Sequence, residues 1–242
     1  WLFTYPDPAQ QKRAASGEHL SLAHQLAPLK ELRVWRFGLY YYFVFGGFVA
    51  LALWLPKYYV GEYQMDLKTA SLITMCFTLP SGLIRAFGGW LSDKYGARNV
   101  NWAVFWVCLV CLFVVSYPQT TYIVHGISGD HRFAIGTNVW VFTFLIFVIG
   151  IAQGIGKASV YRIIHDYYPD NMGSVGGMVG VLGGLGGFSL PIFFGIASDL
   201  LDVRSSCFML LFGVVGICMI MMHIAIRNMR AAEGLDIQPH AT

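Results

Sequence analysis

Arg85 is the one charged residue in Ala70–Leu91, a run of 22 residues with no other Lys, Arg, Asp or Glu. A charge at that depth costs about 3 kcal/mol on insertion scales, so it reads as a functional group that faces a cavity and meets a charge of opposite sign. A guanidinium is planar, stays protonated and offers two parallel N–H donors, which suits a small flat anion better than an ammonium does. The competing reading is a side chain that snorkels about 10 Å along the helix axis to the headgroups. Lys157 follows the long apolar run that starts at Val139. It reads as a boundary residue that snorkels or, if it faces a cavity, as a contributor to gating or anion attraction. Other chemistries find little here. The seven His are scattered without metal-ligand spacing, and no nucleophile stands beside a base. Cys108-x-x-Cys111 sits among Val and Leu and reads as inert apolar filler. Neither an enzyme nor a cofactor is expected.

Composition says what must position these groups. The chain is 56% hydrophobic and 12% charged, with a mean hydropathy of +0.57, against about 25% charged for a soluble domain. The apolar runs are of membrane-spanning length and do not alternate as barrel strands would, so the expected class is an all-α membrane protein. Six spans fit, at about Phe37–Val60, Ala70–Leu91, Val100–Tyr117, Val139–Ile164, Ser174–Ala197 and Ser206–Ile226. With the N-terminus inside, the inner segments hold eleven basic residues (Lys12, Arg13, Lys30, Arg33, Arg36, Lys94, Arg98, Lys157, Arg162, Arg227, Arg230) and the outer ones four (Lys57, Lys68, Arg132, Arg204). The positive-inside rule then puts both termini of this chain in the cytoplasm. The net charge of +3 follows from this asymmetry, and no basic-aromatic patch points to nucleic acid. Residues 1–35 read as a polar cytoplasmic connector with a short amphipathic helix near Leu20–Leu29, 36–227 as the six-helix bundle, and 228–242 as a cytoplasmic tail. The outer loop Pro118–Asn138 has no evident role. A first residue of Trp1 suggests a fragment or a processed chain.

Two motifs stand out. In Gly88–Arg98, GGWLSDKYGAR, Gly89 is expected to allow close packing near a helix end and Gly96 a tight turn. Asp93, Lys94 and Arg98 are expected to form a charge cluster on the inner face. In the fifth span, eight of the fifteen residues from Gly173 to Gly187 are Gly. At about 100° per residue, all but Gly186 fall within an arc of roughly 120°. That bare face predicts either close helix packing or backbone amides open to a ligand, with Gly177, Gly180, Gly183 and Gly184 as ligand-lining candidates and Gly186 and Gly187 as sliding contacts. Eight glycines also lower helix propensity, by about 1 kcal/mol each relative to Ala.

The spacing Gly89-x-x-x-Asp93-Lys94-x-Gly96-x-Arg98 resembles the cytoplasmic loop motif of the major facilitator superfamily, between the second and third helices of a six-helix half. Family patterns often end in two basic residues, and here Asn99 follows Arg98. The stretches Gly154–Arg162 (GIGKASVYR), Tyr167–Asp170 (YYPD) and Val175–Pro191 (VGGMVGVLGGLGGFSLP) resemble the nitrate signature region of the nitrate/nitrite porter family within that superfamily. Ile84–Asp93 is similar to the family segment that presents the substrate-binding arginine, and Tyr41–Phe48 to the one that supplies a Tyr and a Phe, which fall on Tyr41 and Phe45.

The resemblance implies the C-terminal six-helix bundle of a twelve-helix porter, with an N-terminal half outside this chain as its partner. It further implies nitrate and nitrite as substrates and a multi-pass position in the inner (plasma) membrane. Arg85 would bind the anion, Phe45 would cover its flat face and Tyr41 would donate a hydrogen bond; Gly89, Asp93, Lys94, Arg98 and Lys157 would serve the conformational change. All thirteen acidic residues lie in loops, tails or span ends. Proton relays in membranes commonly use intramembrane acids, so nitrate/nitrite exchange is expected over proton symport. An organic-anion or phosphate-ester porter of the same fold is the rival substrate reading, for which more than one intramembrane cation is expected. A non-transporting scaffold or sensor module is the rival class.

Overall fold

The computed structural model describes residues 26–127 and 129–236. Each expected apolar run is a helix of membrane-spanning length: α1 (Leu32–Tyr63), α2 (Leu67–Tyr95), α3 (Ala97–Ser116), α4 (Val139–Tyr167), α5 (Met172–Leu201) and α6 (Ser206–Asp236). Hydropathy alone underestimates most of them, because polar residues cap the ends without contributing to an apolar count. Asp66 accepts from the Thr69 amide at 2.9 Å to start α2, and Asn138 accepts from the Trp140 amide at 2.9 Å to start α4. Gly96, at φ 84°, turns the chain from α2 into α3 with no residue to spare. The amphipathic segment expected near Leu20–Leu29 lies largely outside the described residues; within them, Ala27–Lys30 is a single 3-10 turn.

The loop between α3 and α4 is not irregular. Thr120–Gly126 and Gly129–Ile135 pair as an antiparallel hairpin, Thr120 opposite Ile135 and Gly126 opposite Gly129. Its Thr, Tyr, Ile, Val and Phe residues favour strand geometry, a signal that the glycines of this loop mask in the sequence.

In lipid, apolar side chains gain little by meeting each other, so helix contacts rest on close fit. Small residues provide it here. A side-chain carbon on Gly88 would lie 2.7 Å from the Ile155 backbone, and one on Gly150 would lie 2.7 Å from the Phe77 ring. Gly154 meets the Ser81 backbone in the same way, so α2 and α4 lie backbone to backbone over three turns. The counterpart contact joins α5 to α1, where a side-chain carbon on Gly46 would come within 2.6 Å of the Gly186 Cα. Around these seams pack buried aromatics, among them Phe43, Phe105 and Phe142. Helix α1 is interrupted by a π-helical turn at Tyr42–Gly46. Such a turn leaves main-chain groups short of helical partners, and the buried Gln153 of α4 donates from Nε2 to the Phe43 carbonyl at 3.2 Å.

Candidate anion-binding site

Helices α2 and α4 run side by side in the same direction. This brings two pairs of side chains together, one helical turn apart. Ser81 and Arg85 are four residues apart on α2, as Lys157 and Tyr161 are on α4, so each pair shares a helix face. The Arg85 guanidinium carbon lies 5.9 Å from the Tyr161 ring centroid. One turn further on, the Lys157 Nζ donates to Ser81 Oγ at 3.2 Å and stands 3.1 Å from the Phe48 ring centroid.

Helix α1 supplies the aromatic wall. The rings of Tyr41 and Phe45 are stacked, 5.1 Å apart and inclined by 4°. Phe45 lies within the π-helical turn and Tyr41 is the residue just before it. Tyr41 also meets Tyr161 edge-on at 5.0 Å, and the Tyr161 hydroxyl donates to the Gly176 carbonyl of α5 at 3.2 Å. Arg85, Tyr161, Tyr41 and Phe45 thus form one group, with Arg85 exposed on an open face and Tyr41 buried behind it. A guanidinium so placed can offer N–H donors outward while aromatic faces hold its other side. The side chain lies among these rings rather than along the helix toward its end.

Lys157 is not a boundary residue. It is 4% exposed, and its partner Ser81 is the middle residue of α2, fourteen residues from each end. That is about 21 Å from either terminus at 1.5 Å per residue. Counting apolar residues from Val139 misplaces it, because α4 continues to Tyr167 and the side chain turns toward α2.

The glycine arc of α5 divides into three strips. Gly183, Gly186 and Gly187 pack against Tyr41, Tyr42 and Val49 of α1. Gly176 and Gly180 face the Tyr161 ring and its hydroxyl. A methyl placed on Gly173, Gly177 or Gly184 would meet nothing within 4 Å, so these three front open space. Gly186, off the arc by angle, makes the tightest contact of the eight with α1 backbone. The α5 glycines thus pack at one margin and leave the backbone open at the other; Gly183, expected to line a ligand, is a packing residue against Tyr41.

At the far end of α2, the charges do not cluster with each other. Asp93 pairs with Arg162 of α4 at 2.8 Å, and Arg162 also reaches Asp166 at 3.7 Å. Arg98 donates to the Tyr167 hydroxyl at 2.6 Å, while Lys94 lies 5.1 Å from the Trp90 ring centroid. The close packing expected of Gly89 belongs to Gly88; Gly89 has nothing within 4 Å. The Asp93–Arg162 pair is largely solvated, with side chains 62% and 41% exposed. We expect Asp93→Asn to change stability by less than about 1 kcal/mol, read by thermal melting in detergent.

Comparison with known proteins places this architecture. A model of the Major Facilitator Superfamily matches residues 1–129. The chain belongs to that superfamily. The crystal structure of tetrameric PepTSo2 shares the fold with a TM-score of 0.65 at 14% identity, over 81% of this chain and 41% of that one. Among curated relatives, the probable nitrate/nitrite antiporter NarK1 of Thermus thermophilus is 40% identical over 98% of this chain and 54% of its own length. The nitrite extrusion protein of Bacillus subtilis is 28% identical over 66% of this chain and 36% of its own, and the probable nitrate transporter NarT of Staphylococcus epidermidis is 26% identical over 78% and 44%. The chain spans about half the length of the curated relatives it matches. It is a multi-pass membrane protein of the Major Facilitator Superfamily, a superfamily of transporters rather than enzymes.

For this superfamily member, sequence reasoning does not single out Tyr161, Ser81, Phe48, Gln153 or Arg162. The first is legible in part: it lies four residues after Lys157, on the same helix face. Ser81, Phe48 and Gln153 carry no local signal, since Ser, Phe and Gln in spans have many structural uses; Arg162 is visible as a basic residue at a span end, but its partner on α2 is not.

Proposed function

We propose that this chain is the C-terminal bundle of a nitrate/nitrite porter, and that Arg85 holds the anion near the middle of the membrane. The observation that carries this reading is the Arg85 guanidinium set over Tyr161 beside the stacked Tyr41 and Phe45, on an open face of the bundle. The names of the relatives support nitrate and nitrite as the cargo. In the complete protein the open face meets a second bundle, with the termini of this one in the cytoplasm of a cell whose inner membrane holds it. Two N–H donors bind two oxygens of the planar ion, and Phe45 covers its face and keeps the site dry. Anion binding neutralises the site and permits the bundles to rock; the empty, positive site resists closure. Exchange of nitrate for nitrite follows, in keeping with acidic residues confined to loops, tails and helix ends. Gly89, Asp93, Lys94 and Arg98 act at the inner end, where the Asp93–Arg162 pair ties α2 to α4 during the movement.

Reconstituted into vesicles preloaded with nitrite, the complete protein is expected to take up external labelled nitrate, and vesicles without internal anion to take up far less. Equal uptake in both would exclude exchange. The interior position of Lys157 favours a second reading, a divalent or organic anion, because it places two cations in one bundle. Competition by sulfate or a phosphate monoester against nitrate separates the two.

A further inference from the structure

Lys157 places its side-chain nitrogen in the interior of the bundle, at the level of the middle of α2, where its hydrogen-bond partner is one hydroxyl, Ser81 Oγ at 3.2 Å. Among the described residues it has no ion-pair partner. A charge so placed is costly unless something of opposite sign balances it. A buried lysine kept only for packing would be replaceable by an apolar residue with a gain in stability. The ring of Phe48 at 3.1 Å offsets part of the cost, since a desolvated cation is drawn to the negative face of an aromatic ring. The remainder points to an anion that is present for only part of a working cycle.

Its position relative to Arg85 gives the second argument. Ser81 and Arg85 are one turn apart on α2, and Lys157 and Tyr161 are one turn apart on the parallel α4. The bundle thus holds two cations at successive levels, about 6 Å apart along the axis, each against an aromatic ring. The Arg85 level is open, and the Lys157 level is covered by Phe48. The glycines of the α2–α4 seam, Gly150 and Gly154, let the two helices approach closely enough for Lys157 to reach Ser81. Nearby titratable groups are Arg85 from α2, Tyr41 from α1 and Tyr161 from α4 itself, and none of these supplies a negative charge.

We propose that Lys157 is a second anion-binding residue, a station one helical turn beyond Arg85 that receives a small monovalent oxoanion when the Phe48 ring moves aside. Ser81 holds the ammonium in place while the station is empty and releases it, or shares it, when the anion arrives. The inference rests on the anion-porter reading above and names a further residue of its path.

The test uses the complete purified protein and its Lys157→Gln and Lys157→Arg variants. Nitrate, nitrite, sulfate and glycerol phosphate are each titrated, with melting temperature and tracer binding as readouts. Lys157→Gln is expected to keep or raise the melting temperature without ligand, yet to bind nitrate at least tenfold more weakly and lose most of the nitrate-induced rise. Lys157→Arg, which keeps the charge, is expected to restore binding to within about threefold of the parent. Wild-type nitrate affinity in Lys157→Gln overturns the station, as does failure of Lys157→Arg to rescue. If the parent protein ignores nitrate and nitrite but binds sulfate or glycerol phosphate, the substrate reading falls, and the same variants judge Lys157 on that anion.

Discussion

On the porter reading proposed above, Arg85→Lys in the complete protein is expected to lower nitrate uptake by about a hundredfold while the protein still inserts, folds and melts as the parent does. A lysine keeps the charge but loses the planar fork, so one of two charge-assisted bonds to the anion is lost. A hydrogen bond to a charged group is worth about 1.5–3 kcal/mol, and each 1.4 kcal/mol is about tenfold in affinity. Loss of the guanidinium contact with the Tyr161 face, now at 5.9 Å, adds to the deficit. Stability has little to lose, since Arg85 is exposed on the open face of this bundle. Tracer uptake into proteoliposomes, set beside a melting curve of the same preparation, measures both quantities. Uptake at the parent rate would remove Arg85 from the anion's path, whatever the fold.

The second large effect separates the two margins of the α5 glycine face. Gly186→Leu is expected to abolish folded protein or lower its melting temperature sharply. A first side-chain carbon there already falls 2.9 Å from the Tyr42 ring and 3.0 Å from the Gly46 Cα. The obstacle is partly backbone, which cannot rotate away, so the cost lies at or above the usual range of about 1–3 kcal/mol for overpacking. Moving Gly46 would also disturb the π-helical turn that it ends and that carries Phe45, the ring stacked on Tyr41. Gly184→Leu is expected to behave in the opposite way. It has nothing within 4 Å, so the bundle is expected to fold normally while transport falls at least tenfold, because on the proposed reading the open space at Gly184 is where the second bundle meets this one. Gel filtration and melting report the first variant, tracer uptake the second. A Gly184→Leu protein that transports as the parent does would confine the role of α5 to packing.

The six helices are legible in the sequence because a membrane span is a local property: about twenty residues of sufficient apolarity, ended by caps and turns such as Asp66, Gly96 and Asn138. The isolation of Arg85 is legible for the same reason, since a lone charge among apolar neighbours is visible in one dimension. What the chain order does not encode directly is which helix lies beside which, and at what rotation. Counting residues assigns Lys157 to the boundary, and the lateral contact with Ser81 across 76 positions reverses that reading. Asp93 groups with its sequence neighbours by spacing, yet it pairs with Arg162 on another helix. Gly88, not Gly89, meets the partner backbone, a distinction of one residue that changes the helix face by about 100°. Apolarity and its period are summed along the chain and survive small errors of register. A close contact between two helices depends on the phase and height of both, and those are decided only when the backbones come together.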